Sequence, residues 1–344
     1  MKSKKQIVAG ILLITMVLLS QACGAAKKTE VPDLGVIKAG YLPVLGLAPL
    51  YVAVDKGYFK EEGLDVQLER FDSGSKMIVP LSVGQLDAGL GEAGTALFNG
   101  VSQGLDVRAV CGNTSLNVEG YASVPFVVRK DLVDSGEITQ PSDLKGKKIA
   151  VNVPRGNSEY TIAKILELGG LTIKDVELVP IPFPDIVTSL SNKAVDAAYL
   201  PPPFTEVVTQ EGTAVELYGK DVAQFQNGVL YFGQRFLDPA NKEVAVRFLS
   251  AYIKALRELL AGGYENDEDL AIISKYTNLK PEALRKTSRF YQDPNCALNP
   301  DSLAEIQEYY VVQGYTDYTE AIPMEKVLEE SFLKEVLLRI GIEK

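Results

Sequence analysis

Two similar stretches of sequence each end in residues suited to binding a small molecule. LSVGQLDAGLGEAGT and LSNKAVDAAYLPPPF start 109 residues apart. Glu92 and Thr95 stand at the end of the first stretch, and Tyr199 and Phe204 at the end of the second. A carboxylate at Glu92 suits an amine, amide or pyrimidine donor and disfavours a purely anionic ligand, and an aromatic pair can sandwich a ring. The alternatives are a solvated charge at Glu92 and core packing for the aromatic residues.

The absence of histidine limits the chemistry open to this chain. None of the 344 residues is His, which excludes Ser-His-Asp and Cys-His catalysis, His general bases and His metal ligands. The sequence has no cysteine pair with zinc spacing and no phosphate-binding G-x-x-x-x-G-K-[ST] motif. We therefore expect a binding protein without a metal or cofactor. Catalysis by carboxylates alone is the enzymatic alternative that composition leaves open.

The elements that must position these residues alternate between strands and helices. From Val36 to Asn113 the chain reads as strand, helix, strand, helix, strand, helix and strand, and the same alternation restarts near Tyr121. This βαβ order predicts two largely parallel sheets. In each half the repeated stretch forms a helix and a short buried strand, with Asp87 or Asp196 at the start of that strand. We expect these two aspartates to cap the strand start rather than to bind ligand.

The chain length suits two lobes with a cleft between them. Open α/β sheets bind ligands at the carboxyl ends of their strands, and both repeated stretches emerge there. We expect lobe 1 over 35–120, lobe 2 over 121–235, and a helical region over 236–344 that returns to lobe 1. Ligand sites prefer such clefts between domains.

The first residues read as a targeting segment. Lys2, Lys4 and Lys5 precede an uncharged apolar run over 7–19, which is too short to span a membrane comfortably. A small residue then precedes Cys23. This pattern resembles a bacterial lipoprotein signal over 1–22, in which Cys23 receives a lipid, and 23–34 reads as a polar tether. The alternative is an ordinary secretory signal in which Cys23 has no role.

Charge and cysteine content add two constraints. The net charge of −10 argues against nucleic acid and an anionic membrane surface as partners. Cys111 and Cys296 are the other two cysteines. A disulfide between them is chemically allowed outside the cytoplasm, and two buried free thiols are the alternative.

Four segments occur in an order that resembles a known family. They are PLYVAVDKGYFKEEGLDVQL (49–68), GQLDAGLGEAG (84–94), DLKGKKIAVNVPRGNSEY (143–160) and AVDAAYLPPPF (194–204). Together they resemble the solute-binding proteins of ABC importers of the sulfonate, nitrate and taurine type, a superfamily that includes binders of thiamine-precursor pyrimidines. The resemblance implies an α/β type II periplasmic-binding-protein fold with two hinged lobes. It also implies a monomer that closes on a small solute outside the cytoplasm and delivers it to a membrane permease and ATPase complex.

The resemblance also guides the choice of ligand-binding residues. The loop GLAP offers the backbone amide of Leu47, the loop FDSGS offers Ser73, and the second-lobe helix starts near Asn157 and Ser158. Family members commonly carry Gly-Ser or Gly-Thr at this helix start, whereas this chain inserts Asn157. Leu200 and prolines replace the Trp or acidic residue that often precedes Pro-Phe, so the family's ligand preference does not carry over. The alternatives are a plain turn at Leu47 and helix caps at the two serines.

Two other functions remain open from the sequence. Related proteins are enzymes that make pyrimidines on the same fold. The family resemblance implies that these enzymes depend on His and on a cysteine-rich motif, and this chain lacks both. A solute-sensing lipoprotein without a permease is the second alternative. We expect no enzymatic activity and an extracytoplasmic binding protein anchored by a lipid on Cys23.

Overall fold

The computed structural model describes residues 32–342, and two five-stranded sheets organise that part of the chain. The predicted signal segment 1–22, Cys23 and most of the predicted tether lie outside the described residues. From Leu34 onward the chain forms one compact unit. Its strands are β1 (Val36–Tyr41), β2 (Asp65–Arg70), β3 (Ala88–Glu92), β4 (Val107–Gly112), β5 (Ser115–Leu116), β6 (Phe126–Arg129), β7 (Lys148–Val151), β8 (Glu177–Pro180), β9 (Ala197–Tyr199), β10 (Ala214–Glu216), β11 (Phe225–Gln226) and β12 (Gly228–Gly233).

Each sheet contains one strand that runs against the other four. The first sheet has the order β2-β1-β3-β12-β4, and β12 is antiparallel to both of its neighbours. The second has the order β10-β6-β9-β7-β8, and β6 is antiparallel to both of its neighbours. The remaining pairings, β1 with β2 and β3 and β7 with β8 and β9, are parallel. The largely parallel sheets predicted from the sequence are confirmed, and the reversed strands are an addition.

The chain crosses between the sheets twice, and the two crossings pair with each other. It leaves the first sheet after β4, passes through β5 and enters the second sheet at β6; it returns after β10 through β11 to β12. β5 and β11 are antiparallel, with Leu116 opposite Phe225, and we call them the hinge ribbon. Lobe 1 is the first sheet with its helices and lobe 2 the second. β12 lies in the first sheet, although its residues fall within the stretch 121–235 predicted as lobe 2.

The repeated sequence stretch corresponds to a repeated hydrogen-bond arrangement. Asp87 precedes β3, and its carboxylate accepts the backbone N–H of Lys38 at 2.8 Å and pairs with Arg235 at 3.2 Å. Asp196 precedes β9, and its carboxylate accepts the backbone N–H of Lys148 at 2.9 Å and pairs with Arg129 at 3.3 Å. Each aspartate thus ties the start of one central strand to its parallel neighbour and to a nearby arginine. The predicted structural role of both aspartates is confirmed.

Helices cover both sheets and form the C-terminal region. The α-helices are α1 (Ala48–Asp55), α2 (Tyr58–Glu61), α3 (Ile78–Ser82), α4 (Thr95–Ser102), α5 (Lys130–Asp134), α6 (Asn157–Glu167), α7 (Phe183–Ser191), α8 (Phe204–Gln210), α9 (Gln234–Leu237), α10 (Lys242–Leu260), α11 (Asp267–Thr277), α12 (Pro281–Arg285), α13 (Pro300–Val312), α14 (Met324–Val327) and α15 (Ser331–Arg339). Short 3-10 turns occupy Leu45–Leu47, Gly74–Met77, Pro141–Leu144, Ile173–Asp175, Gly219–Asp221, Pro239–Asn241 and Gly263–Glu265. No helix within residues 32–342 is long and apolar enough to cross a membrane.

The C-terminal helices pack mainly on lobe 1. The long helix α10 contacts α1, α2 and α15. On its buried side, the Phe248 ring lies 4.7 Å from the Phe59 ring and 5.3 Å from the Phe236 ring, measured between centroids. Such buried aromatic contacts contribute more than their apolar area alone. Helix α13 additionally touches α6 of lobe 2 and the hinge strand β11.

The strand-start carboxylates generate a prediction about stability. We expect Asp87→Ala to lower the free energy of unfolding by about 2 kcal/mol, because it removes a buried carboxylate that accepts the Lys38 N–H and pairs with Arg235. Asp196→Ala should have the same direction of effect. The control is Asp134→Ala, which removes an exposed ion pair with Lys130 and should change stability by less than about 1 kcal/mol. Urea unfolding followed by circular dichroism measures this, and equal effects of Asp87→Ala and Asp134→Ala would contradict the assignment.

Candidate functional site

A cavity of about 70 Å³ lies between the two lobes. It sits at the carboxyl ends of β3 and β9, where Glu92 ends one strand and Tyr199 ends the other, and both side chains line it. A buried water molecule needs about 10–15 Å³ of such space, so the cavity is large enough for several waters or a small organic group. The repeated sequence stretches therefore meet at one site.

Five of the eight residues predicted to bind ligand line this cavity. They are Leu47, Glu92, Asn157, Ser158 and Tyr199. Lobe 1 supplies Leu47 from the 3-10 turn before α1 and Glu92 from β3, whereas lobe 2 supplies the others from α6 and β9.

The other three predicted residues lie elsewhere. Ser73 is buried, and its hydroxyl forms a hydrogen bond with the Ser75 hydroxyl at 3.0 Å. Thr95 lines a smaller neighbouring cavity of about 10 Å³ that also borders Glu92, and its hydroxyl donates to the Arg155 carbonyl at 2.8 Å. Phe204 is the first residue of α8 and is buried away from the cavity lining. Packing and contacts between the lobes thus account for these three side chains.

Glu92 is an unusual carboxyl because no charged group among the described residues stabilises its ionised form. Burial raises its pKa to about 7, since a carboxylate loses its hydration when it leaves water. Its Oε1 atom reaches across the cleft to lobe 2, where a Cβ atom added at Gly156 would lie 3.1 Å from it. Glycine at 156 therefore leaves room for this carboxyl, and near neutral pH the group can act as donor or acceptor.

The start of helix α6 presents polar groups to the same cavity. Gly156 precedes the helix and offers no side-chain cap. The backbone N–H groups of the first turn of a helix have no intrahelical partners, and those of Asn157 and Ser158 stand at this end. The Ser158 hydroxyl is 2% exposed and finds no hydrogen-bond partner among the described residues. A buried polar group without a partner is costly, so the cavity favours a solute with an acceptor at this point.

Aromatic residues form another wall. Tyr199 lies with its ring centroid 6.1 Å from that of Phe183, and both line the cavity together with Phe290. Burial, and secondly the nearby Glu92 carboxyl, raises the pKa of Tyr199, so its hydroxyl is neutral at physiological pH. The predicted partner of Tyr199 was Phe204, whereas Phe183 at the start of α7 takes that place. The carboxyl-end rule could have indicated Phe183, since it closely follows the end of β8 at this edge of the sheet.

Residues beside the hinge ribbon complete the lining, and sequence reasoning missed them. Asn113 follows β4, and its side-chain oxygen accepts hydrogen bonds from Tyr252 at 3.1 Å and Gln292 at 2.7 Å. The Thr114 hydroxyl donates to the side-chain oxygen of Asn227 at 2.8 Å. Asn113, Thr114 and Asn227 all line the cavity. The carboxyl-end rule could have identified Asn113, but nothing in the sequence pattern marks Asn227.

Hydrogen bonds join the two lobes on several sides of the cavity. Besides the contact of Thr95, the Asn152 side chain donates to the Asp72 carbonyl at 3.3 Å, and the Leu45 N–H donates to the Pro202 carbonyl at 3.3 Å. The Asn157 side chain donates to the Asn227 carbonyl at 3.1 Å. The lobes are therefore in contact, and the cavity is bounded by both.

The charge of the lining restricts what the site can hold. Of the cavity-lining residues in the part of the chain that the structure describes, none is Lys or Arg, and Glu92 is the one ionisable acid. No group of three potential metal ligands occurs within residues 32–342. The polar groups are instead amides, hydroxyls and one carboxyl, which suit hydrogen bonding to an organic solute.

Comparison with known proteins agrees with this geometry. The putative binding protein YtlA of Bacillus subtilis (strain 168) is 23% identical over 315 residues, covering 86% of this chain and 87% of YtlA. The riboflavin-binding protein RibY of Chloroflexus aurantiacus is 25% identical over 267 residues, covering 74% of this chain and 71% of RibY. The crystal structure of the periplasmic nitrate-binding protein NrtA from Synechocystis PCC 6803 superimposes with a TM-score of 0.73 at 17% identity, covering 91% of each chain.

These similarities confirm the predicted periplasmic-binding-protein fold with two sheet-containing lobes. A model of the family described as NMT1/THI5 like matches residues 46–262, which is more than half of the chain. This match includes lobe 1 from Gly46 onward, lobe 2, the hinge ribbon and most of the cavity lining. The chain belongs to the NMT1/THI5-like family.

Proposed function

We propose that this protein is the extracytoplasmic solute-binding component of an ABC importer. It captures a small organic solute between its lobes and delivers that solute to a membrane permease and its ATPase. One observation carries the proposal: the strand ends of both lobes, at Glu92 and Tyr199, line a single cavity that the hinge ribbon spans. Hinged closure around a ligand is the motion expected of such a pair of lobes.

The cavity chemistry favours a neutral or cationic solute over a simple inorganic anion. A bound nitrate or sulfonate would lie beside the Glu92 carboxyl with no lysine or arginine in the described lining to offset the repulsion. A ring N–H or an amine would instead donate to Glu92, and the ring would contact Tyr199 and Phe183. A carbonyl or similar acceptor on the solute would accept from Ser158 and the first N–H groups of α6. The solute we propose is a planar nitrogen heterocycle of the pyrimidine or small aromatic type.

One observation favours the sulfonate- or taurine-like alternative. The free N–H groups at the start of α6 and the buried Ser158 hydroxyl would also hold a sulfonate oxygen. An amino-sulfonate carries an ammonium group as well, which could reach Glu92. Taurine therefore remains the second candidate, whereas nitrate has no donor group for the Glu92 carboxylate.

The anchoring of the protein belongs to the same proposal. The lipoprotein-like signal over 1–22 supports removal of that segment and attachment of lipid to Cys23. Such an anchor would hold the binding protein at the outer face of the cytoplasmic membrane, close to its permease. The residues from Gly24 to the start of β1 would then form the tether, and the protein would act as a monomer.

A panel of solutes tests the ligand class by thermal unfolding. We expect an aminopyrimidine to raise the unfolding midpoint of the purified protein, with taurine as the second candidate and nitrate without effect. A solute at a hundredfold excess over its Kd adds about 2.7 kcal/mol of stability. A shift with nitrate or a simple alkanesulfonate, and none with the nitrogen heterocycles or taurine, would show that the ligand class is wrong.

Replacing Glu92 tests its role and its raised pKa together. Glu92→Gln should weaken binding of an N–H-bearing solute about tenfold, because a hydrogen bond to a charged acceptor becomes a neutral one. In the unliganded protein, the folded state holds the proton more tightly than the unfolded state, whose carboxyl titrates near 4.5. Ionisation therefore costs stability as pH rises from 4.5 through 7. We expect Glu92→Gln to unfold at a higher temperature than wild type at about pH 8 and at the same temperature near pH 4.5.

Glu206 provides the matched control. Burial also raises its pKa to about 7, but it does not line the cavity and accepts the N–H of Ser288 at 2.7 Å. Glu206→Gln should reproduce the pH dependence of stability while leaving solute affinity unchanged. Isothermal titration calorimetry and thermal unfolding of both variants measure this. Equal losses of affinity in Glu92→Gln and Glu206→Gln would show that Glu92 does not bind the solute.

Cys23→Ala tests the anchor. Wild-type protein should appear in the membrane fraction of expressing bacteria, and the variant should appear in the soluble envelope fraction or the medium, because one lipid-bearing residue has been removed. Immunoblotting of the fractions measures the distribution. Identical distributions would contradict lipidation at Cys23.

A further inference from the structure

The two described cysteines lie next to each other behind the cavity wall. Cys111 lies in the buried strand β4, and the next residue, Gly112, donates its backbone N–H to the Cys296 carbonyl at 2.8 Å. This hydrogen bond joins backbone atoms close to the two Cα positions, and the Cys111 and Cys296 side chains are themselves hydrogen-bond neighbours. A disulfide spans about 4.4–6.8 Å between Cα atoms. The close approach of the two side chains makes a disulfide geometrically feasible.

The close approach of the two segments is built into the sequence. A Cβ atom added at Gly112 would lie 2.2 Å from the Ala297 carbonyl oxygen, so only glycine permits this packing. Cys111 is fully buried and Cys296 is 1% exposed. Burial, with the neighbouring Cys296 thiol as the second cause, raises the pKa of Cys111. Once the chain is folded, these thiols are shielded from solvent and weakly nucleophilic.

The cysteine pair is connected to the solute cavity. Burial, followed by the electrostatic effect of the two cysteines, raises the pKa of Tyr252. The Tyr252 hydroxyl donates to the side-chain oxygen of Asn113, a cavity residue, and Gln292 donates to the same oxygen. Gln292 precedes Cys296 by four residues in the same C-terminal segment. A bond at Cys296 would therefore restrain Gln292, which holds Asn113 in the cavity wall by a hydrogen bond.

We propose that Cys111 and Cys296 form a disulfide that fastens the C-terminal segment to β4 and thereby holds Asn113 in the cavity wall. The proposal rests on the extracytoplasmic location given above, since disulfides persist in oxidising compartments. The remaining cysteine of the chain, Cys23, is assigned to the lipid anchor and is not available for pairing.

The bond forms by thiol–disulfide exchange with an external disulfide, such as a disulfide-donating protein of the cell envelope. The thiolate of one cysteine attacks a sulfur of the donor disulfide, and the donor releases one thiolate. The second cysteine, as a thiolate, then attacks the protein sulfur of the mixed disulfide and releases the second donor thiolate. Two electrons pass to the donor, and the two cysteines lose their protons. Because both thiols are buried in the folded protein, exchange occurs during folding.

The disulfide would also stiffen the pivot of lobe closure. The Gln226 side chain, on hinge strand β11, donates to the Ala297 carbonyl at 2.9 Å and accepts the Asn299 N–H at 3.0 Å. The segment that carries Cys296 is thus hydrogen-bonded to the hinge strand β11 as well as to β4. A covalent bond at Cys296 would attach this segment, and with it the hinge ribbon, to lobe 1.

Refolding under controlled redox conditions tests the proposal. The full chain, purified in detergent, is unfolded with reductant and refolded in reduced and oxidised glutathione or in reductant alone. Free thiols are then alkylated under denaturing conditions. Proteolysis without reduction and mass spectrometry should reveal a linked peptide pair containing Cys111 and Cys296 in the oxidised sample. Alkylation of both cysteines in that sample would overturn the proposal.

Thermal unfolding distinguishes the stability contributed by the disulfide from the stability contributed by packing of the two thiols. The oxidised protein should unfold about 5–10 °C above the reduced protein, because the bond closes a long loop. Cys111→Ala and Cys296→Ala should each unfold at the same temperature with and without oxidant. A linked peptide without any stability difference would contradict the fastening role. Solute binding by the reduced wild type is a separate readout, so loss of the disulfide and loss of the proposed transport function remain distinguishable.

Discussion

The pairing of β5 with β11 is the constraint on which the rest of the structure depends. These short antiparallel strands hold the two chain crossings side by side, so the two sheets face each other with their carboxyl strand ends inward. Asn113 and Asn227 flank the pairing and line the cavity. The hinge ribbon therefore connects the two lobes, and residues that flank it form part of the wall of the solute site.

The electrostatic character of the cavity follows from what surrounds Glu92. Its carboxyl lies against the start of α6, and burial raises its pKa to about 7. The described lining contains no lysine or arginine that would lower this pKa again. Across the cavity, the Ser158 hydroxyl lacks a partner in the described chain. The site thus combines the Glu92 carboxyl, which can accept a hydrogen bond from a solute, with the Ser158 hydroxyl, which can donate one. A solute that carries both types of group removes two desolvation costs at once.

Much of this architecture was predictable because it repeats in the sequence. The Asp87 and Asp196 stretches predicted two buried strands with structural carboxylates, and the strand ends predicted Glu92 and Tyr199 as neighbours of a cleft. The rule that placed them cannot give the direction of each side chain. Thr95 faces the junction between the lobes and Phe204 packs away from the cavity for this reason.

The remaining differences come from interactions that leave no local pattern. The reversed strand β12 reads as an ordinary strand, so the sequence pattern did not indicate its return to the first sheet. The hinge strands are only two residues long, too short to show a period of two. Asn227 therefore remained unpredicted, although it contacts both Thr114 and Asn157.

The most direct test of the central claim is a crystal structure of the protein with the solute that stabilises it most. This account predicts the solute in the cavity between the lobes, with a donor group on the Glu92 carboxyl and an acceptor on the Ser158 hydroxyl. It also predicts contact with Tyr199 from the opposite lobe to Glu92. A solute bound to one lobe alone, or at a surface away from Glu92 and Ser158, would contradict it.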